Sequence, residues 1–280
     1  MDTVAIVGVG LIGASFGLAL RKSGFSGEII GVSSPQALAA GLARGAISSS
    51  ATLLDAVRRA DLIYLSQPVD RILQTIPLLS PALRNGTLVS DAGSTKQRIC
   101  ECASAYLPAA LFLGGHPIAG KEQRGPDAAD ADLFRNRQYV LTPGGGTPNP
   151  HADAFRELLH SFGAVVIDMS PREHDSTVAF TSHLPQLIST ALAATLYRED
   201  NPKLTQIFGS GLLGMTRLAL SSPELWTSIL TTNEAQVAQA LDAYIKVLLE
   251  LKRTLGEREV AYTFEQGTAF AGAIRNLPLT

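Results

Sequence analysis

Residues 4–20 read VAIVGVGLIGASFGLAL. An apolar run enters Gly8, further glycines follow at Gly10 and Gly13, and the segment continues as an Ala- and Leu-rich helix. Strand, G-x-G-x-x-G turn and helix in that order make a phosphate-binding turn, whereas the same three glycines outside this context would only ease a bend. Gly8 permits the tight turn, Gly10 lets the backbone approach a pyrophosphate, and Gly13 lets helix and strand pack closely, with the helix N-terminus aimed at the phosphates. Gly8, Gly10, Leu11, Ile12 and Gly13 are therefore the first candidate cofactor contacts.

Downstream the pattern repeats. Short β-branched runs at Thr3–Val7, Glu28–Val32, Leu62–Leu65, Thr87–Ser90, Leu111–Gly114, Gln138–Leu141 and Val165–Asp168 alternate with helical stretches. That alternation predicts an α/β fold, a Rossmann-type doubly wound, mainly parallel sheet with helices on both faces. The Gly- and Pro-rich stretch Thr142–Pro150 reads as a surface loop, because a helix and a strand follow it. From Pro171 the β-branched runs stop. Helical periodicity continues over roughly Pro171–Tyr197, Leu204–Leu220, Pro223–Ile229 and Asn233–Leu255, with a last helix from Glu257. Two domains are expected, 1–169 for the dinucleotide and 170–280 as an all-helical substrate and dimerisation domain that completes its core against a second copy.

Composition narrows the function. With 280 residues and 46% hydrophobic content, the chain can bury a large core. A net charge of −2 leaves no global basic field for nucleic acid or an anionic bilayer, so neither is expected as a partner. No apolar run reaches the roughly 18 residues of a membrane span, and the N-terminus enters a strand without a signal-peptide pattern, so the expected location is the cytoplasm. Cys100 and Cys102 stand two apart on an expected helix, pointing in different directions, which disfavours a disulfide or a metal pair.

The second strand ends at Ser33, where an Asp or Glu would hold the ribose 2′-hydroxyl of NAD. Ser33 and Ser34 would not repel a 2′-phosphate, so the sequence leans toward NADP over NAD. Later strand exits, Gln67-Pro68 and Asp91 with Gly93, reach the same carboxyl edge of the sheet and are plausible nicotinamide-side contacts. After Leu111–Gly114 comes GGHPIAGKEQRG, a glycine-framed turn with His116, Lys121, Glu122 and Arg124. Oxidising a hydroxyl by hydride transfer needs a group to accept its proton, and a framed histidine at the sheet edge can do so. Lys121 and Arg124 could draw in carboxylates or simply be solvated.

In REHDSTVAFTSHLPQLIS, His174 and His183 stand nine residues apart, half a turn out of phase on a continuous helix, so both cannot enter one site. His183 is the favoured site residue, with Gln186 on its face and Pro185 kinking the helix; His174 with Asp175 suits a helix start or a supporting pair. Arg217, in an apolar helical setting with Ser221 and Trp226 nearby, calls for an anion, whether a substrate carboxylate or a protein one.

Four blocks, VGVGLIGASFGLAL, DAGSTK, GGHPIAGKEQRG and HDSTVAFTSHLPQLIS, together resemble the prephenate and arogenate dehydrogenases of tyrosine biosynthesis, over nearly the whole chain. The resemblance implies oxidative decarboxylation by a homodimer without a metal: His116 is the base supported by Ser94, Arg217 grips a substrate carboxylate, and Glu122, Gln186, Ser221 and Trp226 line the pocket. Leu213 and Gly214 stand where relatives often carry a basic–acidic pair, and Lys121 where many have Thr, which bears on the choice between prephenate and arogenate. No αβ module follows the helices, so neither a fused mutase nor a C-terminal amino-acid-sensing domain is expected, and tyrosine would have to inhibit at the active site. Competing readings are a 3-hydroxy acid dehydrogenase or imine reductase, which would carry a catalytic Lys where this chain has His183 and Gln186, and a non-catalytic dinucleotide sensor.

Overall fold

A computed structural model of the chain describes residues 1–108, 111–143 and 150–276. Eight strands lie in one sheet ordered β3-β2-β1-β4-β5-β6-β7-β8: β1 Thr3–Val7, β2 Glu28–Val32, β3 Ser49–Ser50, β4 Leu62–Leu65, β5 Leu88–Asp91, β6 Phe112–Pro117, β7 Gln138–Pro143 and β8 Val165–Asp168. Every expected strand is present; β3, a two-residue edge strand, is too short to leave a periodic signal. All neighbours pair in parallel except β6 with β7. Residues 118–137, which join these two, carry no α-helix to cross over the sheet, and such a return pairs antiparallel. The loop expected over Thr142–Pro150 is shorter: Thr142 and Pro143 extend β7, Pro150 opens a helix, and residues 144–149 lie outside those described.

Strand alternation sends side chains to two cores. Val4 and Ile6 of β1 join Phe16, Leu20 and Tyr64 on one face; Ala5 and Val7 join Val57, Ile63 and Ile72 on the other. Helices α1 Leu11–Lys22 and α6 Pro150–Ser161 cover the first, and α3 Leu53–Arg59, α4 Val69–Leu79 and α5 Gln97–Tyr106 the second, while α2 Pro35–Ala43 follows β2. The first core centres on aromatic rings, with Phe16 stacked on Tyr64 at 3.9 Å between centroids.

The chain divides into two compact units, Met1–Asp175 with Pro223–Thr232, and Ser176–Ser222 with the residues from Asn233. The long helix expected from Pro171 is interrupted: α7 Pro171–Val178 passes into a π-helical turn at Ala179–His183 before α8 Leu184–Arg198. Pro185 lacks an N–H and its ring would clash with the carbonyl four residues back, so the turn widens just ahead of it. The helix expected over Leu204–Leu220 is likewise broken, into α9 Ser210–Thr216 followed by a 3₁₀ turn at Arg217–Leu220, consistent with Gly209, Gly211 and Gly214. Helices α10 Pro223–Thr232, α11 Glu234–Arg253 and α12 Val260–Asn276 follow. Among the described residues no helix is long and apolar enough to cross a membrane.

Tyr64 and Tyr139 are fully buried and share a hydrogen bond, hydroxyl to hydroxyl, at 3.0 Å. Tyr64→Phe strands the Tyr139 hydroxyl and is expected to cost about 1–3 kcal/mol, whereas the double Phe variant strands neither and should cost less. Urea unfolding of the two variants checks this; a double variant weaker than the single would show that the pair is not the unit of stability.

Candidate active site

The glycine turn has the shape a dinucleotide needs. Gly8 has φ +100°, and a Cβ there would lie 2.8 Å from the Ser66 carbonyl oxygen. A Cβ on Gly13 would fall 2.2 Å from the Gly8 oxygen, so helix and strand meet at glycine distance. Gly10 faces open space, with nothing within 4 Å of an added Cβ, and caps α1. The Ser66 hydroxyl donates to the Gly8 oxygen at 2.8 Å, tying the turn to the exit of β4. A crevice of about 720 Å³ joins Gly8 and Gly10 to Ser33, Ser34, Gln67 and Pro68, six of the expected cofactor contacts.

The other expected contacts lie outside this lining. Leu11 and Ile12 pack partly against the first core, and Gly13 is buried beneath the turn. Asp91 is fully buried: its carboxylate accepts from the backbone N–H of Gly93 at 2.8 Å, from that of Gly115 at 3.1 Å, and from the Lys96 ammonium. Lys96, also fully buried, donates as well to the Gly115 oxygen at 2.7 Å. This ion pair therefore staples the β5 exit, with Ser94 inside its loop, to the strand that carries His116.

His116 lies within β6 rather than after it, opposite Val140 of β7. The glycines before it are sites of close approach: a Cβ on Gly114 would meet Thr142 Oγ1 at 2.1 Å, and one on Gly115 the Asp91 oxygen at 2.6 Å. His116 Nδ1 lies 2.8 Å from His174 Nε2, and His174 Nδ1 lies 2.7 Å from Asp175 Oδ1. Asp175 is held by the backbone N–H groups of Lys96, at 2.7 Å to Oδ1, and Gln97, at 2.9 Å to Oδ2. Burial pushes the His174 imidazole below its usual value, against the raising effect of its bond to Asp175. A neutral His174 must donate from Nδ1 to the carboxylate and accept at Nε2. His116 then donates from Nδ1, and in its neutral form carries its lone pair on Nε2, the form a general base needs.

In the second unit Gln186 Nε2 donates to the Leu218 oxygen at 2.8 Å, and the Ala219 N–H donates to Ser189 Oγ at 3.0 Å, so the 3₁₀ turn bearing Arg217 is pinned to α8, with Ser221 ending it. Gln186 Oε1 is buried with no hydrogen-bond partner among the described residues. Arg217 is exposed. His183 is buried, its Nδ1 3.3 Å from the Asn233 amide nitrogen. Lys121 is exposed and pairs with Asp130 at 2.8 Å, a bond that lowers the Asp130 carboxyl below its usual value; Glu122 is exposed on the same loop. Trp226 sits partly buried on α10, in the first unit.

Sequence reasoning passed over Lys96, whose ion pair joins residues with no periodic relation, and left His174–Asp175 between two roles. The adjacent His-Asp pair was the available signal, but only the fold shows His174 reaching His116.

His174 is held below its ordinary 6.5 in the folded state, so the unfolded chain binds more protons once pH drops under 6.5. Its stability contribution is complete above pH 6.5 and declines as pH falls from there toward the lowered value. The gap in melting temperature between the wild type and His174→Gln is therefore expected to narrow from pH 7 to pH 5; a widening gap would contradict a buried neutral imidazole.

Comparison with known proteins agrees with this geometry. The family profile for the prephenate dehydrogenase nucleotide-binding domain matches residues 16–168, and that for its dimerization domain residues 170–266. The chain is 34% identical over 267 residues to prephenate dehydrogenase of Bacillus subtilis, covering 93% of this chain and 71% of that one. A crystal structure of Aquifex aeolicus prephenate dehydrogenase with hydroxyphenyl propionate and NAD+ superposes with a TM-score of 0.92 at 32% identity, over 98% of each chain. Synechocystis arogenate dehydrogenase gives 0.83 at 30% identity, over 97% of this chain and 99% of that one. The chain thus belongs to the prephenate dehydrogenase family, the NAD(P)-dependent oxidoreductases that carry out oxidative decarboxylation in tyrosine biosynthesis.

Proposed function

We propose that this chain oxidatively decarboxylates prephenate or arogenate with His116 as general base, preferring NADP, as a cytoplasmic homodimer. The observation that carries the reading is the hydrogen-bond chain from Asp175 through His174 to His116, which engages Nδ1 of His116 and so assigns the accepting role to its other ring nitrogen, Nε2, when the ring is neutral. A bound nicotinamide dinucleotide supplies the hydride acceptor for the hydroxyl-bearing ring carbon. His116 Nε2 takes the hydroxyl proton, and the positive charge this creates is steadied through His174 by the Asp175 carboxylate. Loss of carbon dioxide leaves its bonding pair in the ring, which becomes aromatic. Aromatisation drives the reaction, so the protein's work is chiefly orientation.

Ser94, between the two anchors of its loop, is the proposed support of His116. Arg217 is proposed to hold a substrate carboxylate, with Gln186, Ser221, Trp226, His183, Glu122 and Lys121 contributing to substrate recognition. The unpartnered Gln186 Oε1 supports a substrate role, since a buried acceptor lacking a donor is costly. The functional division is proposed at 169/170, the dinucleotide half preceding the helical one. NADP preference is supported by Ser33 and Ser34 at the β2 exit, where no carboxylate stands to bind a 2′-hydroxyl. Self-association is supported by α12, which buries no residue in its own chain and exposes Tyr262, Phe264, Phe270 and Ile274.

Purified protein supplied with prephenate or arogenate, each with NAD+ or NADP+, should reduce NADP+ with at least one of the two substrates; no reduction in any combination would reject the reading. His116→Asn is expected to lower kcat by about 10²–10⁴ with little change in dinucleotide affinity, and wild-type turnover in that variant would remove His116 as the base. Arg217→Ala should raise KM steeply, and an unchanged KM would return Arg217 to a role outside the substrate site.

A further inference from the structure

The crevice that carries the glycine turn also contains Arg71, the third residue of α4. Strand β1 lies between β2 and β4, so the residues leaving those two strands flank the Gly8–Gly10 turn: Ser33 and Ser34 on one side, Gln67 and Pro68 on the other. The start of α4 then brings Arg71 to the same opening. Among the described residues lining the crevice Arg71 is the only charged one, and no carboxylate accompanies it.

We infer that Arg71, together with Ser33 and Ser34, forms the subsite that receives the 2′-phosphate of an NADP adenine ribose. The inference rests on the proposed NADP preference and adds the residue responsible for it. The open backbone at Gly10 marks the pyrophosphate end, and the register Val7↔Val32 puts the β2 exit beside it, where the adenine ribose belongs. Two serine hydroxyls can donate to a phosphate there, and the guanidinium supplies the matching charge in a planar fork. Arg71 is exposed, and its Nη1 donates to Gln74 Oε1 at 3.1 Å, one turn along α4, which helps to hold the group over the crevice mouth instead of leaving it to sweep through solvent. Gln67 is restrained from the same helix, its Oε1 2.9 Å from Thr75 Oγ1, so the β4 side of the opening is a fixed wall. The rival role for Arg71 is stacking on the adenine face, which would serve NAD and NADP equally.

The nucleotide fragments 2′,5′-ADP and 5′-AMP separate the two roles, since they differ only at the 2′-position. In calorimetric titrations of the full chain, the wild type is expected to bind 2′,5′-ADP roughly tenfold or more tightly than 5′-AMP, as a charge-assisted phosphate contact allows. Arg71→Met, which keeps the apolar stem, should bring the two within about twofold while leaving 5′-AMP affinity as in the wild type, and Arg71→Lys should retain part of the preference as a point charge. The wild-type preference should shrink as salt rises, as for an exposed ion pair. Retained 5′-AMP binding in the variant also reports that its crevice is folded. A wild-type preference that survives in Arg71→Met would overturn the assignment of Arg71 and leave the NADP reading standing. An equal loss of both fragments would overturn it in favour of adenine stacking. A wild type that does not distinguish the fragments would overturn the NADP reading and this inference with it.

Discussion

The Lys96 ammonium and the Asp91 carboxylate meet where no solvent reaches either. Two such charges withdrawn from water are tolerable only when each is also met by further hydrogen bonds, and here both are: Asp91 takes the Gly93 and Gly115 N–H groups and Lys96 gives to the Gly115 oxygen. Removing either partner would leave a bare buried charge, at about 3–5 kcal/mol. The consequence is geometric. The backbone N–H and C=O of Gly115 are both committed to this pair, so the path of β6 into His116 is set by a desolvated interaction, which is far stiffer than a surface loop.

From that stiffness the site follows outward. Because His116 belongs to β6 and pairs with β7, its backbone is held by the ladder, and Gly114 and Gly115 let the neighbouring strands close to distances that any side chain would prevent. The ring is then oriented by His174, whose neutrality is a product of its burial. Backbone ladder, buried charge pair and histidine chain restrain one imidazole from three directions, as the proposed proton transfer would require.

The sheet was legible because its strands are runs of four or more β-branched and apolar residues, and the turn at Gly8–Gly13 because three glycines at fixed spacing have few other uses. What could not be read depended on contacts between distant parts of the sequence or on small changes of helix pitch. The two-residue β3 has no period. The widened turn before Pro185 and the broken helix around Gly209–Gly214 belong to the same apolar pattern as intact helices, and only the backbone decides between them. Arg71 looks like any charge on an amphipathic helix until β4 is placed beside β1. Candidate site residues with a local frame, His116 above all, stand out in the sequence; Lys96 and the partnership of His174 with His116 do not, because their partners are supplied by other strands and helices.

The manner in which Asp175 is fastened bears on how the sequence can drift. Its carboxylate is gripped by main-chain donors of Lys96 and Gln97, and the Gln97 side chain itself turns outward to Glu101 on α5. What the anchor needs at position 97 is the path of the chain and a backbone N–H, not a particular side chain. Any residue but proline could replace that glutamine and keep the anchor intact, so variability among homologues at this place would say nothing against its importance.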